Sequence, residues 1–245
     1  MNYRLPLIAA ALLFAAPALY ADDAAAPPAK PWTDKAEASL VSTNGNSKGT
    51  TTSLKNLYTY KWSDVTGLEL GAAGLGSKSG DTVTAENYDA NEKVTWKLVG
   101  KNYVFERFAW DKDRFAAIRN RYDSSVGLGR LLIDAPKDQL NGELGGGYIN
   151  EQHTDETHND YGSGRAYAKY VHAITATSSF SQDGEYIHNF NDPQAYRLNT
   201  ETALTAAISA HLSLKTSFDW KRNAKPPAGA VRDDTITSMA LVVNY

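Results

Sequence analysis

The chain has 245 residues, no cysteine and a formal net charge of −3. That excludes disulfides, thiolate metal sites and a lipid-modified N-terminal cysteine, and it argues against nucleic acid, whose phosphates need a basic surface. Past the N-terminal segment no apolar run approaches the roughly 18 residues that a membrane-crossing helix needs, so an integral chain would have to cross as a closed β-barrel, the other way to satisfy backbone groups in lipid.

Met1 to Ala21 carries one basic residue, Arg4, then an apolar run from Leu5 to Leu19 broken by Pro6 and Pro17, with small residues near Ala18 and Ala21. This is the pattern of a secretory signal, too short in its core to stay as an anchor. Its removal takes away Arg4 and no acid, moving the net charge from −3 to −4. Residues 22–34 are rich in Ala and Pro and have little to pack, so a disordered periplasmic leader is expected there, with the barrel running from Lys35 to Tyr245. About 210 residues, at 17 or 18 per strand with its half-turns, give roughly 12 strands.

Alternation begins at Lys35, with Ala36, Ala38 and Leu40 opposite Glu37 and Ser39, and Asn44-Gly45-Asn46 supplies a hairpin turn. The return strand sets Leu54, Tyr58, Tyr60 and Trp62 against Ser53, Lys55 and Lys61, and its terminal aromatics sit where an interfacial girdle belongs. Gly67 to Gly76 forms the next strand, Lys78 to Thr82 a polar loop, and Ala85 to Leu98 a strand with Tyr88, Val94, Trp96 and Leu98 on one face. From Lys101 to Trp110 the outer face stays undetermined, since Tyr103 and Phe105 oppose Phe108 and Trp110. Arg119 to Leu131 sets Tyr122, Val126 and Leu128 against Arg119, Arg121 and Asp123. Leu140 to Glu151 sets Leu144 and Tyr148 against Glu143 and Glu151.

His153, Asp155, Glu156, His158 and Asp160 contain metal-binding residue types, but neither an EF-hand nor a zinc spacing, and read as a solvated extracellular loop. Further on, Arg165 and Lys169 oppose Ala166, Tyr170 and Ile174, and Asp183 and Glu185 oppose Phe180, Tyr186 and Phe190. Arg197 and Glu201 then oppose Leu198 and Leu204, and Lys215 and Asp219 oppose Leu214, Phe218 and Trp220. The last strand puts Thr235, Thr237, Met239, Leu241, Val243 and Tyr245 opposite Asp234, Ser238 and Asn244. Ending on an aromatic, it resembles the strand by which outer-membrane barrels close on their first strand and engage the barrel assembly machinery.

The placement of charge decides the orientation. A Lys or Arg on the lipid face at mid-bilayer costs about 2–4 kcal/mol, so several of them would exceed a domain's whole stability of roughly 5–15 kcal/mol. The basic residues must point inward, leaving an apolar belt for outer-membrane lipids. The fold expected is an all-β, antiparallel, up-and-down membrane barrel whose inward charges alternate by strand: Arg119 and Arg121, Glu143 and Glu151, Arg165 and Lys169, Asp183 and Glu185, then Arg197, Glu201, Lys215 and Asp219 in mixed order. The girdle expected is Tyr58, Tyr60, Trp62, Trp96, Tyr186, Phe190, Trp220 and Tyr245. A turn centred near Thr175 would set Arg165 across from Glu185, and one near Ala135 would set Arg119 beside Glu151.

The chain also resembles the YdiY-like outer-membrane proteins, a family of unknown function labelled salt-induced. The resemblance lies in Ser42-Thr43-Asn44-Gly45-Asn46, Asp113-Arg114-Phe115, Arg121-Tyr122, Gly127-Leu-Gly129, Gly145-Gly-Gly-Tyr148 with Glu151, and Arg165-Ala-Tyr-Ala-Lys-Tyr170, and it covers nearly all of residues 33–245. It implies a twelve-stranded outer-membrane barrel and no established activity, cofactor or metal. The expectation is a narrow channel whose paired charges close much of the lumen to all but ions or small solutes. The alternatives are a non-conducting barrel acting through the loops at Lys78 to Thr82, Thr154 to Asp160 and Asn223 to Arg232, and a lipid hydrolase using His188 with Ser163 as its nearest serine. His172 and His211 read as structural residues near periplasmic turns.

Overall fold

The computed structural model describes residues 30–43 and 49–245. The expected signal sequence, most of the expected leader and the Asn44-Gly45-Asn46 turn lie outside the described residues. Those described form twelve strands: β1 Trp32–Thr43, β2 Gly49–Lys61, β3 Thr66–Ser79, β4 Thr82–Lys97, β5 Asn102–Asp113, β6 Ile118–Asp134, β7 Asp138–His153, β8 His158–Ala173, β9 Ser178–Asn189, β10 Arg197–Ala207, β11 Leu212–Asn223 and β12 Asp233–Asn244. Each pairs with its neighbour in sequence, antiparallel, and β12 returns to β1 to close the barrel. The first strand starts at Trp32, inside the segment expected as leader, because Trp32, Thr33 and Asp34 pair with Tyr60, Thr59 and Tyr58 of β2.

One end of the barrel has short turns, at 62–65, 98–101, 135–137, 174–177 and 208–211; the other carries the longer loops 190–196 and 224–232. Outer-membrane barrels place short turns in the periplasm and long loops outside. Two non-glycine residues take positive φ, Ala117 at 59° and Glu156 at 68°, both in turns at the outer end.

The face of β5 that periodicity leaves open is settled by its neighbours. Tyr103 pairs with Gly129, and Phe105 with Gly127, on the inner face. Phe108 and Trp110 point outward beside Ser124 and Tyr122. Gly127 and Gly129 of β6 and Gly145 and Gly147 of β7 leave the inner wall bare, and the β5 rings lie on it. A Cβ on Gly129 would come within 2.1 Å of Tyr103 Cζ, and one on Gly127 within 2.7 Å of Phe105 Cζ. Phe105 is 0% exposed, and Ile149, Tyr161 and Ile187 form a buried apolar cluster inside the same side of the lumen. Burying these rings fills one side of the interior and contributes about 1.5–3 kcal/mol per large side chain.

Arg119 departs from its expected inward position. The β6–β7 register shifts between Ile118 and Asn120, so Ile118 and Arg121 both turn inward and Arg119 is the extra residue, left exposed. A bulge of this kind breaks strict alternation.

A Gly129→Val substitution drives two methyl groups into the Tyr103 ring and is expected to destabilise the barrel by about 1–3 kcal/mol, the usual cost of overpacking. Urea unfolding in detergent micelles, followed by tryptophan fluorescence, measures it.

Candidate functional site: a charge-paired lumen

The lumen is polarised into a filled side and an open side. On the filled side Glu143 of β7 is the centre. Arg165 Nη1 donates to its Oε2 at 2.8 Å, Tyr103 Oη donates to its Oε1 at 2.6 Å, and the Lys93 ammonium reaches the same carboxylate. Arg165 also donates through Nε to Glu185 at 2.6 Å. Lys93 and Arg165 both lie 5.5 Å from the Phe105 ring centroid, so the cations are sandwiched between carboxylates and π faces. Towards the outer end, Arg121 bridges Asp111 and Glu151, at 3.0 Å each, and His153 Nε2 lies 3.1 Å from Glu151. Between these layers Asp123 stands 3.5 Å from Arg107 and 3.7 Å from Arg197.

On the open side Asp183, Glu201 and Asp219 are direct cross-strand partners on β9, β10 and β11. Three like charges in one row repel, and lysines from elsewhere offset this. Lys215 reaches Glu201 at 2.9 Å and Glu37 at 3.2 Å; Lys55 reaches Glu201 at 3.2 Å and Asp219 at 3.8 Å. Lys169 is 3.9 Å from Asp183 and remains 45% exposed.

Two of the expected pairings differ in register. Arg165 is opposite Ile187, and Glu185 opposite Tyr167, so the Arg165–Glu185 bond is diagonal. Arg121, not Arg119, is opposite Glu151. In both hairpins the chain turns slightly later than expected. Lys93, Arg107 and Glu37 also belong to the network, beyond the charges expected in the lumen; Arg107 lies in the strand whose outer face periodicity leaves undetermined.

Two cavities run along the open side. The outer one, about 500 Å³, is bounded by Lys55, Asp89, Asp219, Lys221 and Asp234; the inner one, about 380 Å³, by Leu57, Glu69, Lys93 and Lys169. Asn91, Arg107, Glu185 and Asn199 line both, so the two meet at that level. Several guanidinium N–H groups of Arg107 and Arg197 have no protein hydrogen-bond partner among the described residues, and both side chains line the outer cavity.

The expected girdle residues face outward. Tyr60 and Trp62 make an edge contact at the periplasmic end, with Trp96 and Tyr245 exposed at the same end. At the outer end Tyr186 packs on Tyr196, Phe190 on His188, and Trp220 donates to Asp233 at 3.1 Å. Tyr58 stacks on Trp32, an addition to the expected set. The outer belt is interrupted, however. Glu92 shares the face of Tyr88 and Trp96, pairing with Leu70 and Phe108, and Glu106 pairs with Val94 and Val126; both carboxylates are exposed between the two girdles. Period-2 counting already places Glu92 on that face.

His188 and Ser163 lie on opposite faces of the wall. His188 is opposite Gly164 and stacks on Tyr186 outside, while Ser163 is 2% exposed and points into the lumen. That pair cannot act as base and nucleophile. The polar residues from 153 to 160 bond locally: His153 Nδ1 contacts Thr157 Oγ1 at 2.9 Å, Asp155 accepts from the Thr157 N–H at 3.0 Å, and Asp160 accepts from Asn150 at 2.6 Å. His158 and Asp160 belong to β8 and not to the loop. Among the described residues no group of three or more His, Asp or Glu is arranged to hold a metal. The 190–196 and 224–232 loops are tied by Lys225, whose hydrogen bond holds the Asp192 carboxyl below its ordinary range.

Residues 36–245 match the family described as a protein of unknown function, DUF481. The chain belongs to that family. It is 26% identical over 201 residues to the uncharacterised protein YdiY of Escherichia coli (strain K12), covering 82% of this chain and 78% of YdiY. Its fold is similar to that of the COG4313 outer membrane channel from Pseudomonas putida F1, with a TM-score of 0.54, 12% identity, and 93% and 100% of the two chains covered. The NanC porin gives a TM-score of 0.48 at 15% identity, over 86% of this chain and 97% of that one. A closed barrel with charges turned inward and an aromatic-rimmed exterior is an outer-membrane protein.

Removing the Glu143 carboxylate leaves Lys93 and Arg165 buried without their shared partner, so Glu143→Ala is expected to cost about 3–5 kcal/mol, read as a lower urea midpoint in micelles. Replacing the lipid-facing Glu92 by Leu is expected to act in the opposite direction, stabilising by about 1–2 kcal/mol because an acid in the belt costs less than a Lys or Arg there. The same unfolding experiment in lipid bilayers reads the difference.

Proposed function

We propose that the protein is a narrow outer-membrane channel whose charge-paired lumen passes ions or small solutes along the side formed by β2–β4 and β10–β12. The observation that carries this reading is the pair of cavities meeting at Asn91, Arg107, Glu185 and Asn199. The opposite side is filled by Phe105, Ile149, Tyr161 and Ile187, so the remaining space is off-centre and lined by ions on both walls. A twelve-stranded wall lies between the filled eight-stranded barrel and the water-filled sixteen-stranded porin. The COG4313 outer membrane channel from Pseudomonas putida F1 has a similar fold, which agrees with the reading. A role in salt stress rests on the family resemblance alone.

Single-channel recording of the purified protein in planar bilayers tests the proposal. The expected result is a small steady conductance that rises in Lys55→Gln, where the bridge to Glu201 and Asp219 is lost. A conductance as large as a general porin's, or none in repeated insertions, overturns it.

A further inference from the structure

At the outer end of β5 and β6 the wall carries two cations side by side on its lipid face. Asp111 pairs with Arg121 and Asp113 with Ile118, so Lys112 stands across from both Arg119 and Asn120. A β-bulge of this kind re-aims side chains at barrel rims. Lys112 shares the outward face of Tyr88, its partner on β4, and Arg119 is exposed while Ile118 and Arg121 on either side of the bulge are buried inside. Neither cation lines the outer or the inner cavity.

Like charges directly opposite one another repel, and the chain does not offset them here. Other cations at this end have acids: Arg114 has Glu86 at 3.5 Å, Arg222 has Asp233 at 3.1 Å, and Lys225 has Asp192. Among the described residues no acid forms an ion pair with Lys112 or Arg119. Glu86, on the same face of β4 as Tyr88, goes to Arg114 instead. Asn120 is also committed, since its Oδ1 accepts from Trp110 Nε1 at 3.1 Å and its Nδ2 donates to Gln152 Oε1 at 3.2 Å. Lys78 of β3 has no ion pair either, but it stands across from Thr50 and Val83, with no second cation opposite.

The surface beneath the two cations is aromatic. Trp110 and Tyr122 are cross-strand partners one step nearer mid-membrane, and Phe108, 45% exposed, stacks on Tyr122 with ring centroids 6.3 Å apart. Aromatic residues of a barrel mark the membrane interface, so Lys112 and Arg119 stand at the level of the lipid headgroups. A guanidinium fork and an ammonium point charge are the two usual ways in which a protein takes a phosphate.

We infer that Lys112 and Arg119 bind the phosphate of a phosphorylated outer-leaflet lipid, whose acyl chains lie against Phe108 and Tyr122. The site is on the outside of the barrel and does not depend on whether ions cross the lumen.

Native mass spectrometry of the protein released from micelles tests this, with lipid A bearing two phosphates as the probe. One lipid A is expected to be retained in preference to its enzymatically dephosphorylated form. Lys112→Gln/Arg119→Gln is expected to weaken retention by about tenfold or more, while Arg119→Lys, which keeps the charge, weakens it far less. Lys225→Gln, which removes a cation that already has an acid, is expected to leave retention unchanged. Each variant is compared as the folded barrel, identified by its faster gel migration before heating, and Arg119→Gln alone, at an exposed position, is read in the same way if the double variant yields no folded barrel. Equal retention of the dephosphorylated lipid, wild-type retention in the glutamine variants, or an equal loss in Lys225→Gln overturns the inference. Displacement of lipid A by millimolar inorganic phosphate also overturns it, and assigns the two cations to free phosphate.

Discussion

A backbone in hydrocarbon must find all its hydrogen-bond partners within the protein. Every other property of this molecule follows from how a β-sheet meets that demand. Closure of β1 on β12 gives the wall an inside and an outside, and the two-residue period of a strand assigns each side chain to one or the other. Most charges then turn inward, with Glu92 and Glu106 as exceptions between the girdles on the outer face. Once Lys55, Lys93, Arg107, Arg165 and their carboxylates share an interior of limited width, they must pair, because an isolated ion away from bulk water is costly. The dense network around Glu143 is thus a result of the membrane's exclusion of charge as much as of any selection for stability.

The extent to which the fold is legible in the sequence depends on how far each strand keeps strict alternation. β6 to β11 carry apolar residues opposite ions along most of their length, and their inner and outer faces can be read residue by residue. β5 cannot be read alone, since aromatic rings occupy both of its faces; its orientation is set by the bare glycines of β6 and β7, a property of neighbouring strands and not of its own residues. Arg119 was misplaced because a bulge at one end of β6 shifts the count by one, and nothing in the local composition marks the extra residue. The Arg165–Glu185 contact survives a small error in turn position because long side chains reach diagonally as well as straight across, whereas the expected Arg119–Glu151 pairing gives way to Arg121 directly opposite Glu151. Glu92 is a different case. Its position was computable from Tyr88 and Trp96, and the general rule that charges turn inward hid it.

The site itself is less legible than the fold. Which ions surround a given carboxylate depends on contacts across the lumen, such as Lys93 with Glu143 or Lys55 with Asp219, and these join strands that are far apart in sequence. Alternation tells that a residue faces inward; it does not tell what stands across from it. The glycines also act at this level. By letting Tyr103 and Phe105 lie flat on the wall, they decide which half of the interior is solid, and so where empty space is left.

That off-centre filling separates two kinds of sensitivity to sequence change. Substitutions among Phe105, Ile149 and Tyr161 alter packing that lines neither cavity, whereas substitutions among Asp89, Lys221 and Asp234 alter the wall of the outer cavity. A lineage carrying this barrel can therefore change the wall of its cavities by drift on one flank, while the opposite flank keeps the molecule folded.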